Sequence, residues 1–217
     1  GIPKDPVTVL EGIKAKAASC IDVIYSEGSD LAPGVHNLFP VPSCYLQTPD
    51  GQQGALGSYF DNREMKGEAL FTRVDDNIDF YWDNDSPHRL MPADNFGIHW
   101  VTDLVAPSTG TYYLGTWASS AYELLLNGEM IMSFRGEHHG FHKEVPVEMK
   151  AGEKYRIEMN YRNYSGDADV KLLWATPREN ILSEAVATAS KADVIVLALG
   201  LSQRLEGEEM GIKIDGF

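Results

Sequence analysis

Cysteine is almost absent: Cys20 and Cys44 are the two in 217 residues, too few for a disulfide framework. Two small, partly buried, reduced thiols are the expectation, with a single bridge as the alternative, and neither has histidines nearby at metal-ligand spacing. Positive charge is scarce too. Lys and Arg number 18 against 32 Asp and Glu, a formal charge of −14, with no basic stripe to follow a phosphate backbone. Nucleic acid and anionic membranes are therefore not expected as partners, whereas neutral ligands such as sugars are not excluded. No apolar run approaches the roughly 20 residues of a membrane span. The stretch GIPKDPVTVLEG at the N-terminus shows no basic segment leading into an apolar one, so periplasmic, secreted and cytoplasmic settings all stay open. A P-loop, a dinucleotide fingerprint and a Ser-His-Asp arrangement are also missing.

What is present falls into three textures. Residues 1–42 open with VTVLEGIKAKAA, compatible with a helix, followed by the strand-like run IDVIY at 21–25 and the turn formers SEGSDLAPG. Residues 179–217 mirror this order. There ENILSEAVATASKA carries Ile181, Leu182, Ala185, Val186 and Ala189 near a 3.6 period, and the apolar run Val194–Leu199 follows. Helix then strand, twice, is an α/β pattern. Residues 43–178 differ: ALGSYF, EALFTRV, FGIHWVTDLVA, TYYLGTWAS, YELLLNGEMIMSF, KYRIEMNYRNY and DVKLLWA all read as strands. Turn signals separate them, the clearest being Asn127-Gly128 between two apolar runs, a type I′ hairpin signal. The expected fold is mainly β: an antiparallel sandwich at 43–178 inserted between two pieces, 1–42 and 179–217, of an α/β domain.

The segment ADVIVLALGLSQRLEGEEM carries the main chemical suggestion. A continuous β-branched and leucine run suits a strand buried on both faces. It ends at Gly200 and releases into a loop with Glu206, Glu208 and Glu209. Ligands of open α/β sheets sit beyond the carboxyl ends of such strands, so these carboxylates are candidates for general acid/base work. The bland alternative is a solvated acidic loop.

The middle segment resembles a protective-antigen-type (PA-fourteen) domain. The residues carrying the likeness are GSYFDNREMKGEAL (57–70), MPADNFGIHW (91–100), PSTGTYYLGTWAS (107–119), YELLLNGEMI (122–131), MKAGEKYRIEMNY (149–161) and SGDADVKLLWATP (165–177). The flanks VTVLEGIKAKA, IDVIYSEGSD and ADVIVLALGLSQRLEGEEM resemble the C-terminal α/β sandwich of glycoside hydrolase family 3 enzymes, in which an insert of this kind is a known arrangement. The resemblance implies a retaining exo-β-glycosidase, a β-glucosidase or β-xylosidase, releasing terminal non-reducing β-D-glycosyl units from an oligosaccharide or aryl β-glycoside without a cofactor. It places Glu206 at the acid/base position, with Glu208 and Glu209 as substitutes or neighbouring contacts. Such enzymes hold a second, nucleophilic carboxylate roughly 5–5.5 Å from the first. In the family that group is an aspartate on a barrel domain, which no segment here resembles. This chain alone is thus expected to be inactive, and the rest of the enzyme becomes an implied partner.

The segment SFRGEHHGFHKE (133–144) reads as a ring-rich loop. Phe134, His138, His139 and Phe141 are candidate sugar contacts, because pyranose C–H faces pack on rings while nearby polar groups fix orientation. The resemblance implies that this loop shapes the substrate entrance; the alternative is an exposed loop with tucked phenylalanines. His138, His139 and His142 lack an expected helix to put two on one face, so no metal site is expected. Lectin-like relatives hold calcium through adjacent aspartates where this chain has Ser119-Ser120, and uncharged hydroxyls are weak calcium ligands. Trp100 and Trp174 read as core, Trp117 is ambiguous, and Asp75, Asp76, Asp79, Asp83 and Asp85 read as one solvated acidic stretch. The rival reading is a non-catalytic carbohydrate-binding or adhesion module; a third makes the insert a scaffold for dimer contacts.

Overall fold

The structure, a computed structural model, describes residues 7–32, 34–136, 141–178 and 180–200. The chain divides into two compact units, Leu38–Pro177 and a second made of Gly1–Asn37 with Arg178–Phe217.

The Leu38–Pro177 unit consists of two antiparallel sheets. Its strands are β1 (Phe39–Pro40), β2 (Leu46–Gln47), β3 (Ala55–Phe60), β4 (Phe71–Asp75), β5 (Asp79–Asp83) and β6 (Gly97–Val105). They continue as β7 (Gly110–Ala118), β8 (Ala121–Leu126), β9 (Glu129–Phe134), β10 (Phe141–Met149), β11 (Lys154–Arg162) and β12 (Ala168–Ala175). One sheet has the order β1-β12-β7-β10, with β5 also paired to β12. The other runs β4-β3-β6-β11-β8-β9, with β2 also paired to β6.

Period-two alternation sets which face is buried. Ile98, Trp100, Thr102 and Leu104 of β6 point inward with Ile157, Met159 and Tyr161 of β11. From the other sheet Tyr112 and Leu114 of β7 and Val170, Leu172 and Trp174 of β12 meet them in one core. Removing each such side chain from water contributes roughly 1.5–3 kcal/mol. Rings dominate the contact: Phe80 stacks on Trp100 at 5.7 Å and on Trp82 at 4.8 Å, and Trp82 meets Phe96 edge-on at 6.0 Å. Trp100 and Trp174 are core residues, as their strand positions predict. Asn127 (φ 50°) and Gly128 (φ 84°) both adopt the left-handed conformation between β8 and β9, the type I′ turn read from the sequence.

Several expectations require correction. Asp75 does not belong to a solvated stretch. It is buried and accepts from Tyr59 Oη at 2.5 Å, Trp100 Nε1 at 2.7 Å and Arg73 Nε at 2.5 Å. Burial and the Asp75 charge together push the Tyr59 phenol far above its usual range, keeping it a donor. Asp79 and Asp83 bound β5, and Asp79 pairs with Lys171 at 2.7 Å. Among its described residues the supposed 133–144 loop is mostly strand: Phe134 ends β9, and β10 begins at Phe141. Cys20 and Cys44 are free, but both are exposed rather than partly buried, because neither sits on an inward position of a strand.

The second unit contains α1 (Val9–Lys16) and α2 (Ile181–Ala189), the two helices expected there. A capping box starts α1: Glu11 N donates to Thr8 Oγ1 at 3.2 Å, and Thr8 N donates back to Glu11 Oε2 at 2.8 Å. The runs 21–25 and 194–199 are not strands in the structure. No strand lies beside them among the described residues of this unit, and a β-run without ladder partners has no hydrogen bonds to hold it. The side chains of 194–199 stay exposed, Val194 at 79% and Leu199 at 83%, and in 21–25 only Val23 is half-buried. Among this unit's described residues Ala32 is the one buried hydrophobic residue.

Candidate functional site

An open cleft of about 300 Å³ lies at the end of the seven-stranded sheet where β8, β9 and β11 meet. Ala121, Glu123, Phe134, Arg135, Arg162 and Tyr164 line it. Strand register explains the assembly. Arg162 on β11 faces Ala121 on β8, and Asn160 faces Glu123, so all four lie on the outward side of the sheet. On the other side of β8, Phe134 of β9 pairs with Tyr122, and Arg135 is the next residue along. Alanine at the centre of this row leaves the space that a larger side chain would fill.

A polar relay crosses the same face. Glu123 Oε2 accepts from Arg162 Nη2 at 3.0 Å and from Asn160 Nδ2 at 3.1 Å. Asn160 Oδ1 lies 2.8 Å from His99 Nδ1. Burial pushes the Glu123 pKa up, but the hydrogen bonds from Arg162 and Asn160 outweigh it and leave the carboxyl below its ordinary value. At the rim the Arg63 guanidinium lies 4.6 Å from the Tyr164 ring centroid, a cation–π contact. Phe134 is partly buried, its ring 6.3 Å from that of Tyr122. A Cβ built on Gly136 would come within 1.9 Å of the Phe134 ring, so glycine allows the chain to fold over it.

Of the residues singled out from sequence, Phe134 is in this cleft. Phe141 and His142 open β10, with backbones opposite Ala118 and Trp117. His138, His139, Glu206, Glu208 and Glu209 lie outside the described residues. Sequence reasoning passed over Glu123, Arg135, Arg162 and Tyr164. The available signal was the alternation of polar Asn160 and Arg162 with buried Met159 and Tyr161 in one strand.

The Ser119-Ser120 corner is built from internal hydrogen bonds. Ser119 Oγ donates to the Asp167 carbonyl at 2.7 Å and accepts from Asp169 N at 3.0 Å, while Ser120 Oγ accepts from Tyr164 N at 3.3 Å. Asp169 is buried and also takes the Trp117 indole N–H at 2.6 Å, which fixes that half-buried ring on the outward face of β7. Among the described residues no group of three His, Cys, Asp or Glu side chains is placed to hold a metal ion.

The profile of the PA14 domain matches residues 51–183, more than half of the chain. The chain belongs to the PA14 domain family. An anti-sigma-I factor of Acetivibrio thermocellus is 30% identical over 146 residues, covering 64% of this chain and 22% of that protein. A xylan 1,4-β-xylosidase of Xylanibacter ruminicola is 25% identical over 233 residues, covering the whole of this chain and 25% of the enzyme. The chain thus spans about a quarter of the length of these curated relatives. The solved structure of a β-glucosidase from Kluyveromyces marxianus superposes with a TM-score of 0.59 at 15% identity, over 85% of this chain and 24% of that one, a likeness of fold. The PA14 sandwich accounts for the mainly antiparallel β architecture, and similarity to named β-glycosidases extends beyond it into both flanks.

Proposed function

We propose that this chain is part of a retaining exo-β-glycosidase of glycoside hydrolase family 3, acting on terminal β-D-glucosyl or β-D-xylosyl units. In this reading the PA14 sandwich is inserted in the enzyme's C-terminal α/β domain and shapes the substrate entrance. The observation that carries it is the extent of similarity: the xylosidase match covers the flanks on both sides of the sandwich, whereas the anti-sigma factor match covers 64% of the chain. The exposed apolar run 194–199 supports it as well, since a contiguous apolar segment in water calls for a covering surface. Glu206 protonates the leaving oxygen and then activates water. The nucleophilic carboxylate and the barrel that bears it lie outside these 217 residues, so this chain by itself is inactive.

The test uses the longer polypeptide that carries these residues, with aryl β-glucoside and β-xyloside as substrates. Glu206→Ala is expected to lower turnover by about 10²–10⁴-fold, and azide is expected to restore it with formation of the β-glycosyl azide. Near wild-type activity in Glu206→Ala moves the role to Glu208 or Glu209. A second reading, a non-catalytic carbohydrate-binding module, draws on the anti-sigma factor, whose name denotes no hydrolase and which is 30% identical over 146 residues against 25% over 233 for the xylosidase. It takes the lead if the wild-type polypeptide hydrolyses neither glycoside while the chain binds glycans.

A further inference from the structure

We propose that the cleft over Ala121 binds a sugar bearing a carboxylate, a uronic acid unit of a glycan, in preference to a neutral pyranose. The inference rests on the carbohydrate part of the function proposed above and adds the chemical class of sugar. Its first support is local charge. The molecule carries −14 overall, yet the charged residues lining this cleft are Arg135, Arg162 and Glu123, an excess of one positive charge. Arg63 at the rim, over Tyr164, is paired with Glu64 at 3.1 Å and leaves that balance unchanged. A cleft of inverted sign in an acidic protein concentrates anions that the rest of the surface repels.

The second support is preorganisation. Glu123 takes one hydrogen bond from Arg162 Nη2 and one from Asn160 Nδ2 on the same carboxylate oxygen, which tethers the guanidinium by one nitrogen. A guanidinium has five N–H donors, and this contact uses one of them on a residue that lines the cleft. Arg135 stands across Ala121, beyond Phe134 on β9. A planar carboxylate matches a guanidinium fork in two parallel hydrogen bonds, which a hydroxyl cannot reproduce. The third support is the remaining lining: Phe134 and Tyr164 border the cleft, with Phe134 packed beside Gly136 and Tyr164 carrying Arg63 over its ring, so the open part of the lining is mainly polar. A volume of about 300 Å³ is at the small end of ligand sites, suited to one sugar unit rather than a chain of them.

The experiment is an NMR titration of the full chain with methyl β-D-glucuronoside, methyl β-D-glucoside and sodium acetate. Expected is binding of the glucuronoside that shifts the Ala121, Arg135 and Tyr164 amides, is at least about tenfold tighter than for the glucoside, and weakens as salt screens the charges. Arg135→Gln, a change at an exposed position, is expected to weaken it about tenfold. Arg162→Lys keeps a cation beside Glu123 but loses the fork, and is expected to weaken it similarly. Equal affinity for the glucoside overturns the proposal, as does acetate binding as tightly as the glucuronoside, or no effect from Arg135→Gln. The two proposals fail separately. Hydrolysis of neutral aryl glycosides by the longer polypeptide without uronoside binding removes this one alone, and uronoside binding without hydrolysis removes the glycosidase assignment alone.

Discussion

Glu123 shows how much one side chain can organise. Its carboxylate joins two strands, standing on β8 and accepting from Arg162 and Asn160 of β11, while its backbone pairs opposite Ser133 of β9. Because its folded pKa is depressed, the stabilisation it gives is fully present above the ordinary carboxylate range. It is lost as pH falls through the folded value. Wild-type chain is therefore expected to lose urea stability relative to Glu123→Gln as pH falls from about 5 to about 3, measured as the shift between their midpoints at each pH. At this scale the sequence was only partly legible. Phe134 stands out as a ring beside a hairpin, but Arg135 and Arg162 lie 27 positions apart and meet only through the β8–β9–β11 register. Asp75 looked solvated because Asp76 and Asp79 follow it closely. What buries it are donors from Tyr59 and Trp100, on two other strands.

Among the elements, the β8–β9 hairpin was the most legible, since Asn127-Gly128 states its turn type in two residues. The turn also holds a third strand: Asn127 Oδ1 accepts from Arg156 N at 2.9 Å, and Asn127 N donates to Arg156 O at 2.8 Å. Gly128→Ala is expected to destabilise the chain by about 1 kcal/mol, because φ of 84° crowds a Cβ against the backbone. Guanidinium denaturation with an unchanged slope is the check, and an unchanged midpoint sinks the idea. Strand β10 was the least legible. The ring-rich segment 133–144 read as loop, yet β10 begins at Phe141; it is the edge of its sheet, where the missing N–H of Pro146 is tolerated. Runs 21–25 and 194–199 failed in the opposite sense: their composition suits a buried strand, but composition cannot supply neighbours to pair with.

For the whole molecule, the mainly β sandwich was readable because alternation with period two survives in strand after strand, whatever the order in which they pair. The order itself, with β12 between β7 and β1, comes from long-range packing and leaves no mark on local sequence. The buried core lies almost wholly within Leu38–Pro177. That segment expressed alone is expected to unfold cooperatively within a few degrees of the transition of the full chain, followed by circular dichroism; a broad, non-cooperative melt contradicts it. The first strand of the sandwich, Phe39–Pro40, pairs directly with the last, opposite Trp174 and Leu173. Chain therefore enters and leaves through adjacent rungs of one ladder, roughly 5 Å apart. A gap of that width is what an ordinary surface loop already spans, so the sandwich can be spliced into a host protein without prising the host's own backbone apart. Portability between unrelated architectures is thus written into a single two-residue pairing.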